Sequence, residues 1–241
     1  MQADSFYRAR SPAPPARAPL TGRHEVHTCI VGGGFAGLNT ALGLAERGSQ
    51  DVMLLEARDI GHGASGRNGG FVFGGFSRGE AELLAELGPQ RAQALYQGTV
   101  DAVGLIRRRI QEHGIRCEAT DAGVIWANWF RDPSALRARQ RLLAENFGVQ
   151  WQWLDRGEMA ERISSERYTE GLYEANALHF DPLAYARGLA AFADDEALLY
   201  SRALLWERRD DITKAEADFR RILVISPDDV NALNALGYTL A

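Results

Sequence analysis

The chain has 241 residues, 46% of them hydrophobic and 24% charged, and carries a formal net charge of -5, a balance that suits one globular domain or two small ones. That charge leaves no basic footprint, so nucleic acid is excluded as an expected partner, and two cysteines, Cys29 and Cys117, exclude a disulfide framework or a cysteine metal cluster. No run reaches the ~18 apolar residues that a membrane span needs, and His24, His27, His62, His113 and His179 show no metal-ligand spacing, so neither a membrane nor a metal is expected.

Residues 1–23 hold arginines and prolines but no continuous apolar segment, and they read as a flexible arm rather than a secretory signal. A reduced, cytoplasmic setting is expected. Val26 to Val31 is a short β-branched run ending in glycines, the pattern of a buried strand with Cys29 as one of its small interior side chains. Phe35 to Arg47 places Leu38, Ala41, Leu42 and Ala45 at helical spacing, with Gly48 as its stop. Residues 51–57 form a second strand. Strand, helix and strand in this order make a βαβ unit, which implies a parallel sheet and an α/β class.

A long helix follows, with Ala92, Tyr96, Thr99, Val103, Ile106 and Ile110 on one face and Pro89 near its start. The stretch "IRCEATDAGVIWANW" reads as a hairpin turning at Asp121 to Gly123. Asp132 and Pro133 are the N-cap and first turn of a helix reaching about Phe147. Val149, Trp151 and Trp153 alternate as a strand does, and Asp155 with Glu158 forms a capping box for a short helix. Asp181-Pro182 opens a helix to about Ala193. Beyond Asp194, Leu199 and Leu233 are 34 residues apart, as are Ala203 and Gly237, with Trp206, Ala215, Phe219 and Pro227 between them. This order resembles the tetratricopeptide repeat, so residues 196–241 are expected to form an all-α helical-repeat tail that offers a surface to a protein partner.

The chemistry is carried by glycine. Gly32, Gly34 and Gly37 form G-x-G-x-x-G at a strand-to-helix turn, where the backbone approaches a pyrophosphate and the helix N-terminus supplies amides and partial positive charge. Phe35 and Ala36 lie inside that fingerprint. Glu56 ends the next strand 24 residues after Gly32; its carboxylate accepts from ribose hydroxyls and repels a 2′-phosphate, which disfavours NADP. The fingerprint alone leaves NAD and FAD open.

A second cluster follows: "LLEARDIGHGASGRNGGFV", with Ala57, Arg58, Gly63, Ala64, Ser65, Arg67, Asn68, Gly69 and Gly70. It resembles the flavoprotein amine oxidases of the D-amino-acid oxidase superfamily, nearest in pattern to γ-glutamylputrescine oxidoreductase-like enzymes. The likeness covers residues 5–192 and includes "LGPQRAQALYQGTVDAVGLIRRRIQEHGIRCEATDAGVIWA" and "EGLYEANALHFDPLAYARGLAAFA". It implies FAD as cofactor and residues 24–192 as an FAD-binding Rossmann-like domain with part of an α+β substrate domain. It further implies that the second loop runs along the pyrophosphate toward the flavin, with Ser65 donating to a phosphate and Arg67 and Asn68 supplying charge and hydrogen bonds. Family chemistry would then be oxidation of a small-molecule primary or secondary amine by hydride transfer from the carbon beside nitrogen to flavin N5.

Relatives continue after "HFDPLAYARGLAAFA" with a returning strand, more substrate-domain sheet and a final segment over the flavin. Here the pattern passes near residue 193 into tetratricopeptide-like sequence, so weak FAD retention is expected. No catalytic acid or base is identifiable, and Asp121 and Glu174 read as solvated or turn-forming carboxylates. Three functions compete: an FAD-dependent oxidoreductase impaired by truncation or fusion, a non-catalytic dinucleotide-binding and interaction module, and an NAD-dependent dehydrogenase.

Overall fold

One β-α-β passage, a glycine-rich loop and a return helix build the first structural unit; two small antiparallel sheets and their helices build the second. The computed structural model describes residues 5–11, 19–47, 49, 51–130, 132–192, 203, 212–225 and 228–239. The units are Met1–Asn68 with Pro182–Ala241, and Gly69–Asp181.

In the first unit, β1 (Thr28–Val31) pairs in parallel with β2 (Val52–Leu55), from Thr28 opposite Val52 to Val31 opposite Leu55. Helix α2 (Phe35–Glu46) crosses between them and buries Leu38 and Leu42. Its predicted stop, Gly48, lies outside the described residues. Because strand side chains alternate, Ile30 faces α2 while Cys29 and Val31 face away. Cys29 is therefore exposed, not interior as the apolar run suggested, and Val31 is 84% exposed. Alternation with one covered face decides this, and hydropathy alone does not reveal it.

Helix α6 (Pro182–Phe192) starts on Asp181-Pro182 as read from sequence and buries Leu183, Tyr185, Ala186 and Leu189. Its Tyr185 ring meets Phe35 of α2 edge-on at 5.7 Å. The arm departs from expectation over the residues described. Phe6–Arg10 is a short helix, α1, capped by Ser5; Arg8 pairs with Asp59 at 2.6 Å, and Arg187 donates to the Ser11 carbonyl at 3.0 Å. Charge pairing with residues far along the chain anchors a segment whose composition reads as loose.

The tail is helical. α7 (Ile212–Ile225) and α8 (Val230–Thr239) pack on each other, and Ala203, Ala215, Phe219, Ile222 and Ala232 make one core, each no more than 1% exposed. Three expected repeat positions, Ala203, Ala215 and Phe219, thus meet in one place. Leu199, Trp206 and Pro227 lie outside the described residues.

In the second unit, β3 (Phe71–Val72) pairs antiparallel with β7 (Leu178–His179), and β6 (Gly171–Glu174) runs between β4 (Val124–Ala127) and β5 (Gln152–Leu154), antiparallel to both. α3 (Glu80–Glu112) bends where Gly88 takes φ 73°; Pro89 is the first residue of the main segment, where a missing amide hydrogen does no harm. Tyr96 of α3, Leu143 of α4 (Ser134–Phe147), Trp151 and Leu172 form the core. Asp132 caps α4 from one residue further out than read: Pro133 takes the cap position while the Asp132 carboxylate accepts from the Ser134 amide at 2.9 Å. The Asp155–Glu158 capping box of α5 (Arg156–Arg162) forms in both directions. The hairpin does not form. The turn at Asp121–Gly123 exists, with Arg107 gripping exposed Asp121 at 2.6 and 2.8 Å, but Thr120 bridges His179 and β4 pairs with β6. Non-local strands offer these edges more partners than the short local return.

Glu174 also corrects the sequence reading, because it is 3% exposed rather than solvated. Its carboxylate accepts the Trp126 indole N–H at 2.9 Å. Arg139 bonds Glu80 at 2.7 and 3.2 Å and lies over the rings of Trp126 and Trp151, 4.5 and 4.9 Å from their centroids. Burial raises the Glu174 pKa above the ordinary carboxylate value, against the pull of the indole bond, and burial pushes the Tyr96 phenol up to about 12. A carboxyl group raised in the folded state stabilises the fold fully below its unfolded pKa, and that contribution is lost as pH climbs through the folded value. Urea unfolding followed from acid to neutral pH is expected to show native protein losing stability relative to Glu174→Gln across that window, with the two curves parallel below it.

Candidate functional site

The first unit brings the two glycine clusters together. After Val31, Gly32 donates to the Leu55 carbonyl at 2.7 Å and turns the chain with φ +108°, a conformation that L side chains resist. A Cβ on Gly37 would collide with the Gly32 carbonyl and meet Ile30 Cγ2 at 3.3 Å, so helix and strand reach this separation only with glycine there. Glu56 follows β2. One carboxylate oxygen accepts from the Gly33 amide at 2.6 Å and the other from the Arg58 amide at 2.8 Å.

The second cluster supplies what the first lacks. Gly34 stands at the N-cap of α2 without a side chain to cap it. Ser65, in the 3-10 turn Ala64–Gly66, fills that role from a distance: its Oγ accepts from the Phe35 amide at 2.9 Å. Gly61 donates to the Gly33 carbonyl at 2.9 Å, a second tie. A side chain on Gly66 would run into the Gly61 carbonyl and meet Leu183 Cδ1 at 2.9 Å. The dense glycine here thus has a reason that the sequence did not disclose: α6 sits on the loop, and side-chain bulk at that point would lift it off.

Each predicted binding residue has a definite place. Gly32, Gly34, Phe35, Ala36, Gly37, Glu56, Ala57, Arg58, Gly63, Ala64, Ser65, Arg67 and Asn68 all belong to the first unit, whereas Gly69 and Gly70 belong to the second. Arg67 donates to the Gly63 carbonyl at 3.2 Å, and Asn68 donates to the carbonyls of Ala64 and Ser65 at 3.1 and 3.0 Å. Both side chains turn back on their own loop and brace it. Arg58 Nη1 meets His62 Nε2 at 2.7 Å. His62, Gly61 and Tyr185 escaped the sequence reading; the four-residue spacing of Arg58 and His62 was the one local sign of the first.

The residues present fit the adenosine diphosphate half of a dinucleotide. The amides of Gly34 and Ala36 at the start of α2 make no hydrogen bond among the described residues. The Glu56 carboxylate is oriented by two amides and keeps lone pairs for hydroxyls. Built Cβ positions on Gly32 and Gly63 meet nothing within 4 Å, so the backbone there stands open to a flat ligand. Among the described residues, no group of three or more His, Cys, Asp or Glu side chains gathers for a metal, and no helix is long and apolar enough to cross a membrane.

The family described as FAD dependent oxidoreductase matches residues 27–227, running past Phe192 into the helical tail. The chain is 32% identical over 219 residues to a probable oxidoreductase OrdL of Haemophilus influenzae, covering 90% of this chain and 51% of that protein. It is 35% identical over 162 residues to γ-glutamylputrescine oxidoreductase of Escherichia coli, covering 67% of this chain and 38% of that one. A 58-residue stretch is 47% identical to a TPR repeat-containing protein of Pseudomonas aeruginosa, 24% of this chain and 10% of that one. Among solved structures, L-amino acid deaminase from Proteus myxofaciens shares the fold at TM-score 0.58 and 23% identity, over 76% of this chain and 39% of that one. The chain spans about half the length, or less, of the oxidoreductases it matches.

The cap from Ser65 gives a direct test. Ser65→Ala removes the acceptor for the Phe35 amide and is expected to cost ~0.5–2 kcal/mol of unfolding free energy, read from urea melts.

Proposed function

Because the chain belongs to the FAD-dependent oxidoreductase family, we propose that its first unit holds the adenosine diphosphate half of FAD in the service of amine oxidation. One observation carries the reading: the Glu56 carboxylate, the bare N-terminus of α2 and the Ser65 loop converge through bonds of 2.6 to 2.9 Å. In this assignment Glu56 accepts from the ribose hydroxyls, and its charge turns away a 2′-phosphate. The Gly34 and Ala36 amides receive the pyrophosphate at the positive end of α2. Gly63 leaves room beside it, and Arg67 and Asn68 hold the loop in shape.

FAD, when bound, supplies flavin N5 as acceptor for the hydride on the carbon next to the amine nitrogen. The substrate class is a primary or secondary amine, free or within an amino acid. The name of the Escherichia coli relative supports an amine, and a cytoplasmic setting accompanies the proposal. No side chain of this chain is assigned as acid or base.

A second reading has its own observation. The core of Ala203, Ala215, Phe219, Ile222 and Ala232, with the likeness to a TPR repeat-containing protein, favours residues 196–241 as a docking surface for a protein partner on a nucleotide-binding module that does no chemistry.

Flavin content separates the two. Purified protein is expected to take up FAD, show flavin absorbance and lose it on anaerobic addition of an amine. Glu56→Ala removes charged-acceptor hydrogen bonds worth ~1.5–3 kcal/mol and is expected to weaken FAD binding at least about tenfold. A colourless protein that takes up no FAD would refute the enzyme and leave the module.

A further inference from the structure

The tail repeats itself in sequence at a spacing of 34 residues. Leu199 and Ala203 recur as Leu233 and Gly237, and Asp194-Asp195 recurs as Asp228-Asp229. Asp229 caps α8: its carboxylate accepts from the Ala232 amide at 2.7 Å, and its carbonyl from the Leu233 amide at 3.0 Å.

Helix α8 has two different sides. Ala232, Ala235 and Leu236 lie in or against the core shared with α7. On the other side Val230, Leu233, Gly237 and Tyr238 follow one helical stripe, and all four are exposed, Val230 at 65% and Tyr238 at 84%. A Cβ built on Gly237 meets nothing within 4 Å, so the stripe has a hollow at its centre. None of residues 230–239 is charged, whereas α7 carries Lys214, Glu216, Asp218 and Arg220. A helix with one covered face ordinarily turns charge to water on the other, and an uncharged helix with apolar residues on both sides is suited to being covered on both.

The repeat indicates by what. Ala203 is fully buried in one cluster with Ala215 and Phe219 of α7, the helix that follows it. Gly237 holds in α8 the register of Ala203. The element that covers Gly237 as α7 covers Ala203 therefore presents a small residue and, four positions on, an aromatic one. We propose that the exposed stripe of α8 receives an amphipathic helix of this kind from a partner protein, stacked on it as one repeat helix stacks on the next. The proposal rests on the docking-surface reading of residues 196–241 and names the partner's binding element. A second copy of this chain cannot offer its α7 for the purpose, because Ala215 and Phe219 are each 0% exposed in their own core.

The probe is a labelled peptide with the sequence of residues 212–225, stapled into a helix between positions 216 and 220 and titrated against the full chain by fluorescence anisotropy. Saturable binding is expected. Gly237→Phe fills the hollow on the side away from α7 and is expected to weaken binding at least about tenfold, as is Phe219→Asp in the peptide. Should Gly237→Phe fail to fold, exposed Tyr238→Asp takes its place. Absence of saturable binding overturns the proposal, and so does binding indifferent to the α8 variant, which would mean that the peptide displaces α7. A dimer in sedimentation that the variant dissolves also overturns it, and assigns the stripe to a second copy. Flavin uptake is read on the same samples: it decides between enzyme and module whether or not the peptide binds.

Discussion

The 2.9 Å bond from the Phe35 amide to Ser65 Oγ joins segments thirty residues apart, and the meeting of the two glycine clusters is organised around it. A helix start that is to admit phosphate cannot carry a bulky cap of its own, and Gly34 carries none. The amides left over still need an acceptor. Here a loop contributes it from the side, leaving neighbouring amides open. Gly61 to Gly33 adds a backbone tie, and Glu56 closes the ring through Gly33 and Arg58. Three short stretches, Gly33–Phe35, Glu56–Arg58 and Gly61–Ser65, are thereby tied to one another.

What could be read ahead of the structure was local chemistry. G-x-G-x-x-G, the strands on either side and the Asp155–Glu158 box each depend on residues a few positions apart, and each formed. The family resemblance extended that reach, because a pattern of glycines and one acid is itself a local record of a cofactor. What could not be read was partnership. The turn at Asp121–Gly123 was legible, yet Thr120 and β4 found His179 and β6, far along the chain. Cys29 looked interior because its neighbours are apolar, although strand alternation turns it out. Glu174 looked like an ordinary acid because nothing in "GLYEAN" discloses the indole of Trp126 or the aromatic cluster beyond it. The second glycine cluster was assigned to its ligand, whereas Gly66 also answers to Leu183 of α6.

The second unit shows how polar groups are kept inside an aromatic core. Arg139 is flattened against two indoles that stack at 5.7 Å and 9°, and its charge is met by Glu80. Cation–π attraction and a two-point ion pair both act against the desolvation of that charge. Glu174 has no ion pair among the described residues, and its carboxylate accepts the Trp126 indole N–H instead.

The first unit is discontinuous in the chain, Met1–Asn68 being completed only by Pro182 onward. A ribosome that has released the glycine loop must therefore add more than a hundred further residues before Leu183 can press on Gly66. During that interval the nascent N-terminal segment has no return helix to lean on. Packing of the glycine loop is thus completed only once Pro182–Phe192 has been added.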